Sequence, residues 1–295
     1  MEFKRSSGTL KNLLFKRFRF LNELKRNKRF LVGFSMLTFM ILASTIGTYL
    51  LPYNPFRVGL FPRKRPPSLE YPLGTDTLGR NVLGELLLGI QNSLQIAFIV
   101  ATIGTLFGAV IGFTAGYRGG TIDAILRVIN DSFVLLPMLP MVILISCFTR
   151  IVEIWMTALI LSIFAWAWPA RLVRAQTLSL RERDFIYMAR LSGKGSMEIV
   201  FTELMPHMAQ FLTANFANAS LWAVLTETGI SILGLGPQYT MTVGMILYWA
   251  NYYSAVFNGF WWWWSAPLIA IIWLLTSLYL VHTGLDEIIN PRLKR

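Results

Sequence analysis

The sequence predicts an all-α, polytopic membrane protein with six transmembrane helices, and three observations carry that reading. Of 295 residues, 55% are hydrophobic and 14% charged, with a mean hydropathy of +0.54; a soluble chain of this size holds about 25% charged residues. Several uncharged stretches, residues 86–117 among them, exceed or approach the roughly 20 residues needed to cross a bilayer. The cations are also unevenly placed: with the N-terminus inside and six spans, 21 of the 27 Lys and Arg fall on inner segments, as the positive-inside rule requires. A seventh span would put the basic tail Pro291–Arg295 outside, against that rule. The net charge of +12 therefore reads as membrane orientation and gives no reason to expect a nucleic-acid partner. A single cysteine, Cys147, excludes an intrachain disulfide, and two histidines argue against a histidine-rich metal site.

The elements follow in order. Residues 1–29 form a basic cytosolic flank suited to anionic lipid. Residues 30–51 form the first transmembrane helix, too long for a signal-peptide core and without a cleavage site before Pro52. The Pro- and turn-rich stretch 52–90 is an extracytoplasmic loop, in which Asp76 or Thr77 caps a short helix running into Glu85. Its Arg63-Lys64-Arg65 cluster is an exception to the charge rule. The helical core spans 91–283. In its first helix Gly104, Gly108, Gly112 and Gly116 recur every four residues, a stripe that lets another helix approach closely. Asp123, Arg127 and Asp131 then make an acid–base–acid ladder at i, i+4, i+8. The third span reaches about Cys147, kinked by Pro137 and Pro140, and Arg150 and Glu153 mark a turn. The fourth runs from about Ile154 to Ala170, with Trp166 and Trp168 as interfacial anchors. The fifth covers about His207 to Leu235. Residues 234–260 read either as a further span or as an external, re-entrant loop. The last helix runs from about Trp262 to Thr283, followed by a cytosolic tail at 284–295.

Between the fourth and fifth spans lies a charged elbow at about 181–205. Phe185, Met188, Ala189 and Ser192 fall at i, i+3, i+4 and i+7, on one face of a short helix. Gly193 suits a left-handed cap, and Ser196 caps a second helix carrying Met197, Val200 and Phe201. Such an elbow is shaped to present a surface to a cytosolic partner. In the fifth span Asn215, Asn218, Trp222 and Thr226 share a face, with Glu227 adjacent. A charged side chain at a helix centre costs about 2.5–3.5 kcal/mol on insertion scales, so it faces protein or a wet cavity. Glu227 thus reads either as an interhelical hydrogen bond or as a pathway or gate residue, and the two asparagines divide the same way. Trp261–Trp264 with Tyr248, Trp249, Tyr252 and Tyr253 reads as an interfacial belt or as a docking surface.

No GxxxxGK[ST] phosphate loop, HExxH or GxSxG is present, and no catalytic constellation emerges. Five blocks, however, stand in the order of one family. Tyr71-Pro-Leu-Gly-Thr-Asp-Thr-Leu-Gly-Arg-Asn-Val82, Gly116-Tyr-Arg-Gly-Gly120, Trp168-Pro-Ala-Arg-Leu-Val-Arg-Ala-Gln176, Ser231-Ile-Leu-Gly-Leu-Gly236 and Gly284-Leu-Asp-Glu-Ile-Ile-Asn-Pro-Arg292 resemble blocks of the dipeptide/oligopeptide permease family, C-type subunit. The likeness covers about residues 25–295. It implies the type I ABC importer permease fold, one extra N-terminal helix plus a five-helix core. The elbow then resembles the family's EAA loop, and Phe185, Tyr187, Met188, Ala189, Ser192 and Gly193 take the ATPase-coupling role. Tyr187-Met188-Ala189 stands where the family has Glu-Ala-Ala; Asn81 replaces an aspartate and Tyr71 a histidine. Asn215, Asn218, Trp222 and Glu227 become pathway candidates.

The partners implied are a homologous second permease in a heterodimer, two ABC ATPase subunits, an extracytoplasmic solute-binding protein and membrane lipid. ATP and Mg belong to the ATPases; this chain binds no cofactor and no metal, and catalyses nothing. It sits in the cell inner membrane with both termini cytosolic. Peptides are the expected cargo, with oligosaccharides or nickel as alternatives. A secondary transporter needs coupling-ion carboxylates and internal repeats, and a membrane enzyme needs converging acid, base or metal groups; neither set is visible.

Overall fold

A computed structural model describes residues 24–148 and 153–289. The flank before residue 24, Arg150 and the tail from Asn290 lie outside them. Helix α1 (Lys28–Leu50) is capped by Asn27, whose side chain accepts from the Phe30 N–H at 3.0 Å. The Asn27 amide also donates to Gly284 O at 3.2 Å and to Glu287 at 2.9 Å, and Arg29 pairs with Glu287. These contacts lock α1 along the last helix, α11 (Trp261–Ile289). Gly33 and Gly284 mark the crossing: a Cβ on Gly33 would sit 2.8 Å from Ser277 O, and one on Gly284 2.6 Å from the Phe30 N.

Helix α2 (Val82–Arg118) has 37 residues, about 55 Å at 1.5 Å per residue, and is the spine of the bundle. It starts at Val82, so the loop before it is shorter than the 52–90 expected. Its cap is Asn81, accepting from Leu83 N at 3.0 Å. Asp76 does not cap it, because both its oxygens are taken by Arg80. The glycine stripe faces α5 (Ile154–Ala165) and α6 (Ala167–Arg181), which run through Trp166 as one membrane-length segment. Cβ atoms on Gly104, Gly108 and Gly112 would lie 2.9, 2.9 and 2.7 Å from the carbonyl oxygens of Ala165, Trp166 and Ala170. Close packing cannot absorb a larger side chain against backbone. Gly112→Leu is therefore expected to abolish most folded protein, read as the monodisperse fraction after detergent extraction, while Gly229→Ala, whose Cβ meets open space, keeps it.

The third span is broken. Helices α3 (Gly120–Leu135) and α4 (Met138–Phe148) meet at 81°. Leu136 is extended at φ −62°, ψ 129°, as a residue before proline prefers, so Pro137 makes the break; Pro140 lies in the first turn of α4. The ladder expected on α3 is replaced by pairs to α6: Asp123 with Arg174 at 2.6 Å and Asp131 with Arg171 at 2.5 Å. Trp166 packs on Phe133 at 5.0 Å, inside the segment instead of at its rim.

After the elbow, α9 (Met205–Ile232) crosses the middle of the bundle. Its start is a π turn, Val200–Leu204, closed by Met205 N to Val200 O. Pro206 explains the widening, since its ring would clash with the carbonyl four residues back. Among the described residues four helices are long and apolar enough to cross a membrane, and the bent pair makes a fifth. The 28-residue α9 is the remaining long helix, falling short in apolarity because it carries Asn215, Asn218, Thr226 and Glu227. Residues 234–260 hold no further span: α10 (Val243–Tyr252) has 10 residues, about 15 Å, half the hydrocarbon thickness. It is capped by Thr242 and buried against α2, α9 and α11. The last helix continues to Ile289, so the expected tail begins within it.

Candidate functional site

Three places bring chemistry together. The first is a knob built by residues 54–81. Gly74 (φ +70°) and Gly79 (φ +75°) turn the chain so that Gly59 N bonds Leu78 O at 2.9 Å, Phe61 N bonds Gly79 O at 3.0 Å and Thr75 N bonds Arg65 O at 2.9 Å. At its root Arg80 Nε reaches Asp76 Oδ2 at 2.7 Å and Glu85 Oε1 at 2.8 Å, all three side chains being buried, with the guanidinium 5.7 Å from the Trp249 ring centroid. Trp262 donates to Thr75 O at 3.2 Å and Trp263 stacks on Tyr253 at 6.0 Å. The tryptophan run is thus mostly the knob's core; Trp261 alone of the four is exposed. Lys64 of the basic cluster lies 5.6 Å from the Phe260 ring centroid.

The second is a cavity of about 400 Å³ at the break between α3 and α4. Phe133 and Met138 flank the break, Trp168 projects from α6, and Asn215, Asn218 and Trp222 face it from α9. The buried Asn215 Nδ2 has no hydrogen-bond partner among the described residues. Beyond Trp222 a second cavity of about 520 Å³ continues past Pro137 to Thr226 and Gly229. Asn215 to Gly229 spans about 21 Å along one face of α9, so the groove of these two cavities lines about half the length of that 28-residue helix. Glu227 lies elsewhere. It is fully buried on the opposite face, accepting from Ser93 Oγ at 3.1 Å and Ser231 Oγ at 2.7 Å, while Ser93 Oγ accepts from Val243 N at 3.2 Å. It ties α2, α9 and α10 together and lines neither cavity.

The third is the elbow. Helix α7 (Asp184–Leu191) ends with Lys194 N on Ala189 O at 3.3 Å and Gly193 N on Arg190 O at 3.0 Å, with Gly193 at φ +80°; this is the Schellman pattern that favours glycine. Helix α8 (Ser196–Ile199) is capped by Gly195, and Ser196 is its first residue. Lys194 reaches back to Glu203 at 2.6 Å. The helix face expected to dock outward is divided. Ile186 and Ala189 are buried in a cluster with Phe113, Val173, Leu204 and Met208, and Phe185 stacks on His207 at 4.5 Å. Tyr187, Met188 and Leu191 point out, at 63%, 61% and 67% exposure, joined by Met197 and Phe201. Leu191, Met197 and Phe201 were not singled out for docking from sequence; apolar residues on both sides of so short a helix were the available signal.

These placements accord with what the chain is similar to. Residues 104–295 match the model of the binding-protein-dependent transport system inner membrane component, and residues 17–67 that of the N-terminal TM domain of oligopeptide transport permease C. The chain belongs to this permease family. The dipeptide transport system permease protein DppC of Bacillus subtilis is 29% identical over 274 residues, 92% of this chain and 85% of its own. The oligopeptide transport system permease protein OppC of Mycobacterium bovis is 33% identical over 214 residues, 72% of this chain and 74% of its own. A solved structure of the MetNI methionine ABC transporter, inward facing, superposes with a TM-score of 0.55 at 18% identity, over 69% of this chain and 94% of that one. The all-α fold is therefore that of an ABC importer permease, a multi-pass protein of the inner membrane.

Proposed function

We propose that this permease forms half of the translocation pathway of an ATP-driven peptide importer, paired with a homologous second permease, two ATPase subunits and an extracytoplasmic binding protein. The observation that carries the reading is the joining of groove and elbow. The exposed apolar face of Tyr187, Met188 and Leu191 is covalently continuous with α6 and α9, two of the helices that wall the 400 Å³ cavity. An exposed apolar patch of this kind marks a protein-binding site. An ATPase closing on it moves both walls together, and the cavity opens alternately to either side. ATP and Mg are held by the ATPases. Both termini face the cytosol, on the side of the elbow, and the knob faces outward.

Asn215 and Asn218 offer amide donors and acceptors to a peptide backbone, and Phe133, Trp168 and Trp222 offer apolar contact to its side chains. The relatives' names point to the same cargo, dipeptides and oligopeptides. Uptake by the complex reconstituted in liposomes, with ATP inside the ATPase-accessible compartment, tests this. Labelled di- and oligopeptides are expected to accumulate, and Asn215→Leu to lower the rate about three- to tenfold, the value of one or two lost hydrogen bonds. Accumulation of an oligosaccharide or nickel in place of peptide refutes the cargo while leaving the importer.

A further inference from the structure

A separate cavity of about 310 Å³ lies between α2, α3 and α6, at the elbow end of the bundle. Its wall carries Arg127, Arg171 and Arg174 together with Asn130 and Asp131. Two of these arginines are engaged: Arg174 with Asp123, and Arg171 with Asp131. Asn130 is committed too, donating to Ala167 O at 2.7 Å. Arg127 makes no ion pair among the described residues and leaves one positive charge in excess on the wall. The pathway reading has no use for it, because the Asn130–Ala167 bond stands between this cavity and the groove.

The surroundings say what kind of anion reaches it. On α2 the exposed Phe107 lies one turn before Ile111, which lines the cavity, and on α3 the exposed Ile125 and Val128 flank Arg127. The cation is thus approached across an exposed apolar surface, two turns from the start of α3 at Gly120, where the end of a membrane helix meets headgroups. Guanidinium is the side chain best matched to a phosphate, by its fork of donors and its weak hydration. Basic pockets between transmembrane helices on the cytosolic side hold anionic headgroups.

We propose that this cavity binds the phosphate of an anionic phospholipid of the inner leaflet, with Arg127 as its direct partner. The site bridges α3 and α6, so an occupied cavity braces the broken span against the helix that leads into the elbow. The inference rests on the membrane orientation given above and is independent of the cargo.

Native mass spectrometry of the assembled transporter, released from nanodiscs holding phosphatidylglycerol and phosphatidylcholine, provides the test. Wild type is expected to retain phosphatidylglycerol preferentially, and Arg127→Gln to lower that preference roughly tenfold, as loss of a charge-assisted contact would. Arg127→Lys keeps part of it, and carries the test alone if the glutamine variant is unstable. Arg118→Gln, which removes an exposed charge at the same end but outside the cavity, leaves the preference intact. Equal retention by wild type and the Arg127 variants, or an equal loss in Arg118→Gln, overturns the site. Displacement of the lipid from wild type by millimolar inorganic phosphate overturns the lipid assignment in favour of free phosphate; persistence of the lipid supports it.

Discussion

Met188→Asp, alone or with Tyr187→Asp, is expected to release the ATPase subunits from the permease while the membrane bundle stays folded. Both side chains are more than 60% exposed, so a charge there disturbs no internal packing. Buried against an ATPase, each aspartate is desolvated without a partner, and the interface loses several orders of magnitude in affinity at about 1.4 kcal/mol per decade. Co-purification of tagged permease with its ATPases, together with the permease's melting temperature, separates the two effects. Ala189→Trp is a different experiment. Ala189 is buried against the elbow's own core, so tryptophan there dislodges α7 and lowers melting temperature and ATPase binding together. Retention of ATPases and of uptake by Met188→Asp would show that this face is not the contact.

Arg80→Ala is expected to be the most destabilising single change outside the helix crossings. It leaves Asp76 and Glu85, both buried, with no counter-charge, and breaking a buried pair from one side costs about 3–5 kcal/mol. The Arg80 backbone N–H still donates to Asp76 in the variant, but without the guanidinium between the two carboxylates the root of the knob loosens and Trp262 loses its seat beside Gly74. The readouts are the melting temperature in detergent and protease sensitivity of residues 54–81. The contrast is Arg171→Gln, which breaks the half-exposed pair with Asp131. An ion pair so open to solvent contributes about 0–1 kcal/mol, and the melting temperature should barely move. Similar shifts in the two variants would mean that the buried triad holds nothing.

What the sequence showed and what it hid follow from the reach of the interactions concerned. The glycine stripe of α2, the break at Pro137, the left-handed Gly193 and the shared face of Asn215, Asn218 and Trp222 all depend on spacing within one helix or on one residue's own backbone. They were legible. The partners of Asp123 and Asp131 lie 51 and 40 residues away on α6, and an i, i+4 arginine on the same helix concealed them. The Asp76–Arg80–Glu85 triad was missed because Asp76 reads locally as a helix cap, a role that Asn81 fills. In α7 the periodicity placed a helix correctly but could not say which apolar residues meet their own chain and which meet another. Glu227 was adjacent in sequence to the groove face, and only its serine partners on α2 and α9 show that it points away.

In the proposed importer, the face of α9 from Asn215 to Gly229 lines a path whose access ATP governs. The most direct test of this is a single cysteine at Trp222 in a Cys147→Ser background, within the complete transporter in liposomes. A small membrane-impermeant maleimide is applied to the outer face, first without nucleotide and then with ATP and vanadate to hold the ATPases closed. Labelling is expected to rise severalfold on closure, added transported peptide to slow it, and the labelled complex to take up peptide no longer. A labelling rate that does not depend on nucleotide, with uptake unimpaired by the adduct, would contradict it.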